Sequence, residues 1–353
     1  VSSAETIHKN VQQYYGETLS TNADLQTTAC CVPDAIPKQH KEILAKIHDD
    51  ILSKFYGCGS PLPAALDGCT ILDLGCGTGR DVFLAAALAG PESHVIGIDM
   101  TDEQLEVARR HHKPQCAALG IPASTVEFRK GIIEDLAASD IADNSVDVVI
   151  SNCVINLASC KETVFREIFR VLKPGGELYF SDVYADRRIP QALIDDPILH
   201  GECLGGALYD EDFRRILSRL GCPDSRVVSS SPIAMTNPAV EALTGDIQFF
   251  SRTIRAFKLA SLEDRCEDFG QAARYKGGIS NSPHGVELDD HHYFCKGKFE
   301  LVCGNTAAML QETRFGPYFE IVGDHSTHYG IFGGCGETII TEADLGGDGG
   351  GCC

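Results

Sequence analysis

The chain contains no tryptophan and three methionines, and aromatic residues make up only 7% of its 353 positions. Intrinsic tryptophan fluorescence therefore cannot report a ligand unless a reporter is introduced. No run of 18 apolar residues occurs, which excludes a membrane-spanning helix from the expectations. Basic residues are scarce as well, 30 against 50 acidic ones, for a formal charge of −20. A nucleic-acid backbone calls for clustered Lys and Arg, so nucleic acid is not expected as a partner. No C-x-x-C occurs, and a structural zinc site is not indicated. The sixteen cysteines are irregularly spread through a long chain without an apolar leader, unlike a secreted disulfide framework. These absences lead to an expectation of a cytoplasmic protein, and without a heptad or an exposed apolar stripe, of a monomer.

With 43% hydrophobic residues the chain can bury a sizeable core, and its length calls for one large domain with smaller units attached. Ile43, Leu44, Ile47, Ile51 and Phe55 recur at helical spacing, which predicts an amphipathic helix over 38–55. Strands are predicted at T-I-L-D-L, H-V-I-G-I-D, T-V-E-F-R, V-D-V-V-I-S and G-E-L-Y-F-S-D, with a helix at 161–172 and a Thr101/Gln104 capping box on another. Such alternation implies an α/β fold, a mostly parallel sheet covered on both faces. Ligands collect beyond the carboxyl ends of its strands, where Asp73, Asp99, Cys153 and Asp182 stand. The regularity fades after about residue 215. Farther on, H-Y-F-C and F-E-L-V around K-G-K read as a hairpin, and T-A-A-M-L-Q-E-T-R as a helix.

D-L-G-C-G-T-G, from Asp73 to Gly79, follows the first strand and opens a helix. Glycines at alternate positions let the backbone approach a ligand beside free helix N–H groups. A dinucleotide loop is spaced G-x-G-x-x-G; here the third glycine comes one residue early, which favours a ligand without pyrophosphate. S-adenosylmethionine (SAM) fits. Asp73 would meet its ammonium end, Asp99 its ribose hydroxyls, and G-I-I-E-D-L, from Gly131, its adenine. The candidate cofactor residues are Asp73, Gly75, Cys76, Gly77, Asp99, Met100, Gln104, Ile133, Glu134 and Asn152.

Over roughly residues 40–220 the sequence resembles class I SAM-dependent methyltransferases. That resemblance implies a Rossmann-like sheet, followed here by smaller α+β units. Further pieces narrow it: A-C-C at Cys30 and Cys31, F-Y-G-C-G at Cys58, S-N-C-V-I-N at Cys153 and G-E-C-L-G-G-A-L-Y at Cys203. With Y-Y-G, E-L-Y-F-S-D-V-Y and a late Y-x-G-G-I and R-F, they resemble the arsenite methyltransferases along nearly the whole chain. The implied organisation is a thiol-bearing segment at 1–37, a SAM-binding domain at 38–215, an arsenic-binding domain at 216–283, a C-terminal domain at 284–345 and a Cys-ended tail at 346–353.

The implied chemistry suits those cysteines. Trivalent arsenic is soft and thiophilic, so three thiolates can displace its hydroxyls and leave a lone pair to attack the SAM methyl. Cys58, Cys153 and Cys203 are the expected As(III) ligands, with Cys30 as a fourth functional thiol and Cys31 as its alternative. Arsenic would arrive as a thiol conjugate, and glutathione or thioredoxin would reopen a disulfide expected between Cys30 and Cys58. Two other readings are a methyltransferase of a small organic nucleophile and a non-catalytic metalloid-binding protein.

Overall fold

The computed structural model describes residues 4–18, 36–235 and 237–333. Its centre is one sheet whose strands are β1 (Thr70–Leu74), β2 (His94–Asp99), β3 (Val126–Lys130), β4 (Val146–Asn152), β5 (Leu172–Ala185), β6 (Leu208–Tyr209), β7 (Ser225–Pro232) and β8 (Phe249–Phe257). They lie in the order β3-β2-β1-β4-β5-β8-β7, with β6 beside β5. Pairings among β1–β6 are parallel, whereas β8 runs antiparallel to β5 and β7 antiparallel to β8.

Alternation along the strands decides which helix covers which face. From β1, Ile71 joins a core with Phe83 and Leu105, on the helices α4 (Arg80–Ala89) and α5 (Asp102–Leu119). Its neighbours Leu72 and Leu74 turn to the other face, towards Phe165 and Ile168 of α6 (Lys161–Val171) and Phe213 and Leu217 of α9 (Asp210–Arg219). Both faces are thereby dry, as the near-continuous apolar strands require.

The helix expected over 38–55 is two short ones, α2 (Lys38–Leu44) and α3 (Asp49–Leu52). His48 interrupts them because its Nδ1 accepts the Asp50 N–H at 3.1 Å and caps α3. The Thr101/Gln104 capping box does not form: Thr101 has no side-chain bond to the helix, and Gln104 Nε2 donates instead to the Tyr15 carbonyl at 3.0 Å. Before the sheet, α1 (Ala4–Gln13) and a turn at Tyr14–Thr18 lie over its carboxyl end. Between β5 and β8 come α7 (Gln191–Ile194), α8 (Pro197–Gly201) and α10 (Pro238–Thr244).

The later part contains β9 (Glu267–Asp268), β10 (Gln271–Tyr275), β11 (Gly285–Glu287), β12 (Tyr293–Cys295), β13 (Phe299–Val302), α11 (Gly304–Gln311), β14 (Phe319–Val322) and β15 (Gly330–Ile331). The expected 292–302 hairpin is replaced by non-local pairing: β12 pairs with β11, while β13 and β14 flank β10. The sheets run across the expected boundaries at 215 and 283. Strands β7 and β8 extend the main sheet to residue 257, and the sheet built on β10 draws strands from both sides of residue 283. Glu177, in the middle of β5 and fully buried, joins the two cores through Arg255 Nε at 2.7 Å and Arg314 Nη2 at 2.5 Å.

Candidate active site

Strand order reverses between β1 and β4, and a cavity of about 930 Å³, its mouth included, opens at the carboxyl ends there. All ten candidate cofactor residues, from Asp73 to Asn152, line it. The loop after β1 turns through positive φ at Gly75 (68°), Gly77 (52°) and Gly79 (89°) before α4 begins. Asp99 tethers that loop to the next strand: its Oδ2 accepts the Gly77 N–H and its Oδ1 the Thr101 N–H, both at 2.8 Å.

The electrostatics of the cavity favour a cation. Asp73 is buried, and burial together with nearby Asp81 and Asp99 pushes its carboxyl well above the ordinary range, against the pull of Arg80. Burial raises Asp99 as well, with the N–H groups of Thr101 and Gly77 opposing it. Glu134 goes the other way. Burial opposes its ionisation, but hydrogen bonds from His8 and Ser159 outweigh that and hold it below the usual value. A bound SAM fits this donor set: its positive end would relieve Asp73, and the remaining carboxylate lone pairs suit its hydroxyls.

The N-terminal helix closes this cavity, a role that periodicity did not indicate. His8 bonds Glu134 at 2.9 Å, Gln12 Nε2 donates to the Met100 carbonyl at 3.0 Å, and Val11 and Tyr15 face inward. Tyr14 and Tyr15 then donate to Glu202 and to the Gly201 carbonyl, each at 2.8 Å, on the loop that carries Cys203. The Y-Y-G triplet was the available signal for this segment.

Three of the four candidate thiol positions converge. Cys58, Cys153 and Cys203 belong to one buried cluster, each at most 3% exposed. Cys58 and Cys153 are joined by a disulfide with their Cα atoms 5.8 Å apart, and Cys203 Sγ donates to the Cys153 carbonyl at 3.3 Å. The expected Cys30–Cys58 pair is therefore replaced at Cys58 by Cys153, which the end of β4 brings alongside; Cys30 and Cys31 lie outside the described residues. Cys153 and Cys203 both have left-handed backbones, at φ 57° and 63°. A side chain in that region costs about 1–3 kcal/mol, and such positions cluster at functional sites.

Asn152 holds the Cys58 loop in place. Its Oδ1 accepts the N–H groups of Cys58 (2.9 Å) and Gly59 (3.1 Å), while Nδ2 donates to the Gly59 carbonyl (3.0 Å) and Asp81 Oδ2 (2.8 Å). The amide's hydrogen-bonding capacity is thus fully used within the protein, although Asn152 also borders the cavity. Close approach explains the glycines on either side of Cys58: a Cβ on Gly57 would lie 2.4 Å from Asn152 Cγ, and one on Gly59 2.5 Å from Ser181 Oγ. Cys153 faces the cofactor cavity, whereas Cys58 borders a second one rich in Ser and Thr.

Asp182, also placed at a strand end by the sequence, is fully buried. Burial pushes it up to about 7, although the N–H groups of Val183 and Asn156 and the charge of Lys161 oppose the shift. Among the described residues, no helix is long and apolar enough to cross a membrane.

Comparison with known proteins agrees with this geometry. Residues 65–221 match a family model described as a methyltransferase domain. The chain is 50% identical to an arsenite methyltransferase of Aquipseudomonas alcaligenes, over 94% of this chain and 95% of that protein. It is 40% identical to the Homo sapiens arsenite methyltransferase, over 89% of this chain and 84% of that protein. The crystal structure of an arsenic (III) S-adenosylmethionine methyltransferase from Chlamydomonas reinhardtii superposes with a TM-score of 0.81 at 45% identity, covering 84% of this chain and all of that one.

Proposed function

The chain belongs to the arsenite methyltransferases, and from that premise we propose that it methylates trivalent arsenic held on Cys58, Cys153 and Cys203, giving mono- and dimethylated arsenicals. The observation that carries this reading is the meeting of three cysteine side chains, 95 residues apart in the bonded pair, at the end of β4 beside a carboxylate-lined cavity.

SAM, the cofactor of this enzyme family, supplies an electrophilic methyl group on a positively charged sulfur when bound. Asp73, Asp99 and the loop from Gly75 to Gly77 would hold it, with α1 covering the cavity from above. Each cysteine thiol passes its proton to a departing hydroxyl of arsenic, so that an As–S bond replaces an As–O bond, water leaves and the arsenic lone pair remains as the nucleophile. No proton is removed from that nucleophile, so the site needs no general base. Accepting a methyl cation raises arsenic from the trivalent to the pentavalent state. Cys58 and Cys153 return two electrons by closing a disulfide, the state in which they are found here. Glutathione or thioredoxin then reopens it by thiol exchange.

Cys30 serves as an outer receiving thiol for arsenic that arrives as a thiol conjugate. Dependence on reduced sulfurs suits a reducing compartment such as the cytoplasm, where the conversion would detoxify arsenic. The test is arsenic speciation after incubation with SAM, arsenite and a thiol. Mono- and dimethylated products are expected from the wild type and neither from Cys153→Ser or Cys203→Ser. Monomethylated trivalent arsenic has only two exchangeable positions, so Cys58→Ser should still add one methyl to it. Full arsenite methylation by Cys153→Ser would overturn the scheme.

A further inference from the structure

A second pair of cysteines shares one guanidinium away from this site. Cys266 directly precedes β9 and Cys303 caps α11, yet the same nitrogen, Arg226 Nη2, lies 3.8 Å from Cys266 Sγ and 3.7 Å from Cys303 Sγ. The sulfurs can be no farther apart than the sum of those contacts. Arg226 is anchored by Asp224, at 2.7 Å from both Nε and Nη2, and by Asp289 at 3.3 Å from Nη1.

Neither thiol sits as an inert apolar filler would. Cys303 Sγ accepts the Thr306 N–H at 3.4 Å at the start of an eight-residue helix and lies 3.2 Å from Thr306 Oγ1. With the guanidinium, three polar groups surround one fully buried sulfur. Cys266 is only partly buried, which leaves a route to the pair from solvent.

We propose that Cys266 and Cys303 form a dithiol site that binds a trivalent arsenical with two exchangeable hydroxyls, such as the monomethylated product. The inference rests on the arsenic chemistry assigned to the main site. Each thiol loses its proton to a departing hydroxyl, two As–O bonds are replaced by two As–S bonds, and two waters leave. Arsenic remains trivalent, so no oxidant or reductant is needed. Arg226 steadies the attacking thiolates and retains Asp224 and Asp289 as partners when the sulfurs turn to arsenic.

Phenylarsine oxide, which has the same two-site chemistry, tests the proposal on the full, reduced wild-type chain. Proteolysis without reductant and mass spectrometry should find the Cys266 and Cys303 peptides bridged by one phenylarsenic group. Cys266→Ser, a change at the partly exposed member, should remove the bridge and weaken labelling of Cys303 at least tenfold, while arsenite methylation persists. Both thiols left alkylatable, or each bridged to some other cysteine, overturns the proposal. The main reading is judged separately by speciation: bridging without any methylated product would overturn that reading and leave the dithiol site standing.

Discussion

Asn152 Oδ1 accepts the backbone N–H of Cys58 at 2.9 Å across 94 residues of sequence. The adjacent residue Cys153 is the one whose sulfur Cys58 joins, so a single strand end sets both the position of the Cys58 loop and the reach of its side chain.

Replacing Asn152 with Ala should therefore act on arsenic more than on SAM. Unsatisfied N–H groups at Cys58 and Gly59 cost about 1–3 kcal/mol each. Arsenite affinity is expected to fall about tenfold or more, the effect of roughly 1.4 kcal/mol, with the SAM dissociation constant nearly unchanged. Equal losses for both ligands, measured by calorimetry, would mean that Asn152 serves the cavity rather than the loop.

The left-handed backbone at Cys203 makes a stability prediction that is separate from catalysis. Glycine adopts this region freely, whereas an L side chain costs about 1–2 kcal/mol there. Cys203→Gly should resist denaturant better than Cys203→Ala by about 1 kcal/mol. At Cys116, within α5, the order should reverse because glycine weakens a helix by about 1 kcal/mol. The same ranking at both positions would contradict the backbone assignment.

Asp73 should couple SAM binding to protons. Burial and the nearby Asp81 and Asp99 hold it protonated above the ordinary carboxylate range, and a cationic ligand favours the ionised form. Binding is expected to release a proton, and affinity to rise with pH until Asp73 is ionised in the empty site. Titrations in buffers of different ionisation enthalpy should give different heats, and Asp73→Asn should remove the difference. Buffer-independent heat for the wild type would refute the coupling.

Asp182 should make the fold less stable as pH rises. Its carboxyl is raised from 3.8 to about 7, so the folded state binds the proton more tightly than the unfolded one. The stabilisation is fully present below the unfolded value and lost as pH rises towards 7. Between pH 5 and 8 this amounts to about 3 kcal/mol. Denaturation of the wild type should lose more stability over that range than denaturation of Asp182→Asn. Parallel curves would show that Asp182 is not the group responsible.

The sequence by itself determined the α/β class, the glycine loop after the first strand and the acidic residues at successive strand ends, and its family resemblance singled out Cys58, Cys153 and Cys203 as candidates. Those are local properties: side-chain period decides which faces are apolar, and the chemistry of sulfur and carboxylate is carried by residue type. Only the tertiary structure decided that Cys58 bonds Cys153, that Asn152 spends its amide on a distant loop, that α1 covers the cavity and that β7 and β8 complete the main sheet. It also brought Cys266 and Cys303 to one guanidinium. Each of these depends on contacts between segments distant in sequence, where the choice among partners is made by register, close packing and the satisfaction of buried polar groups, none of which has a period to read.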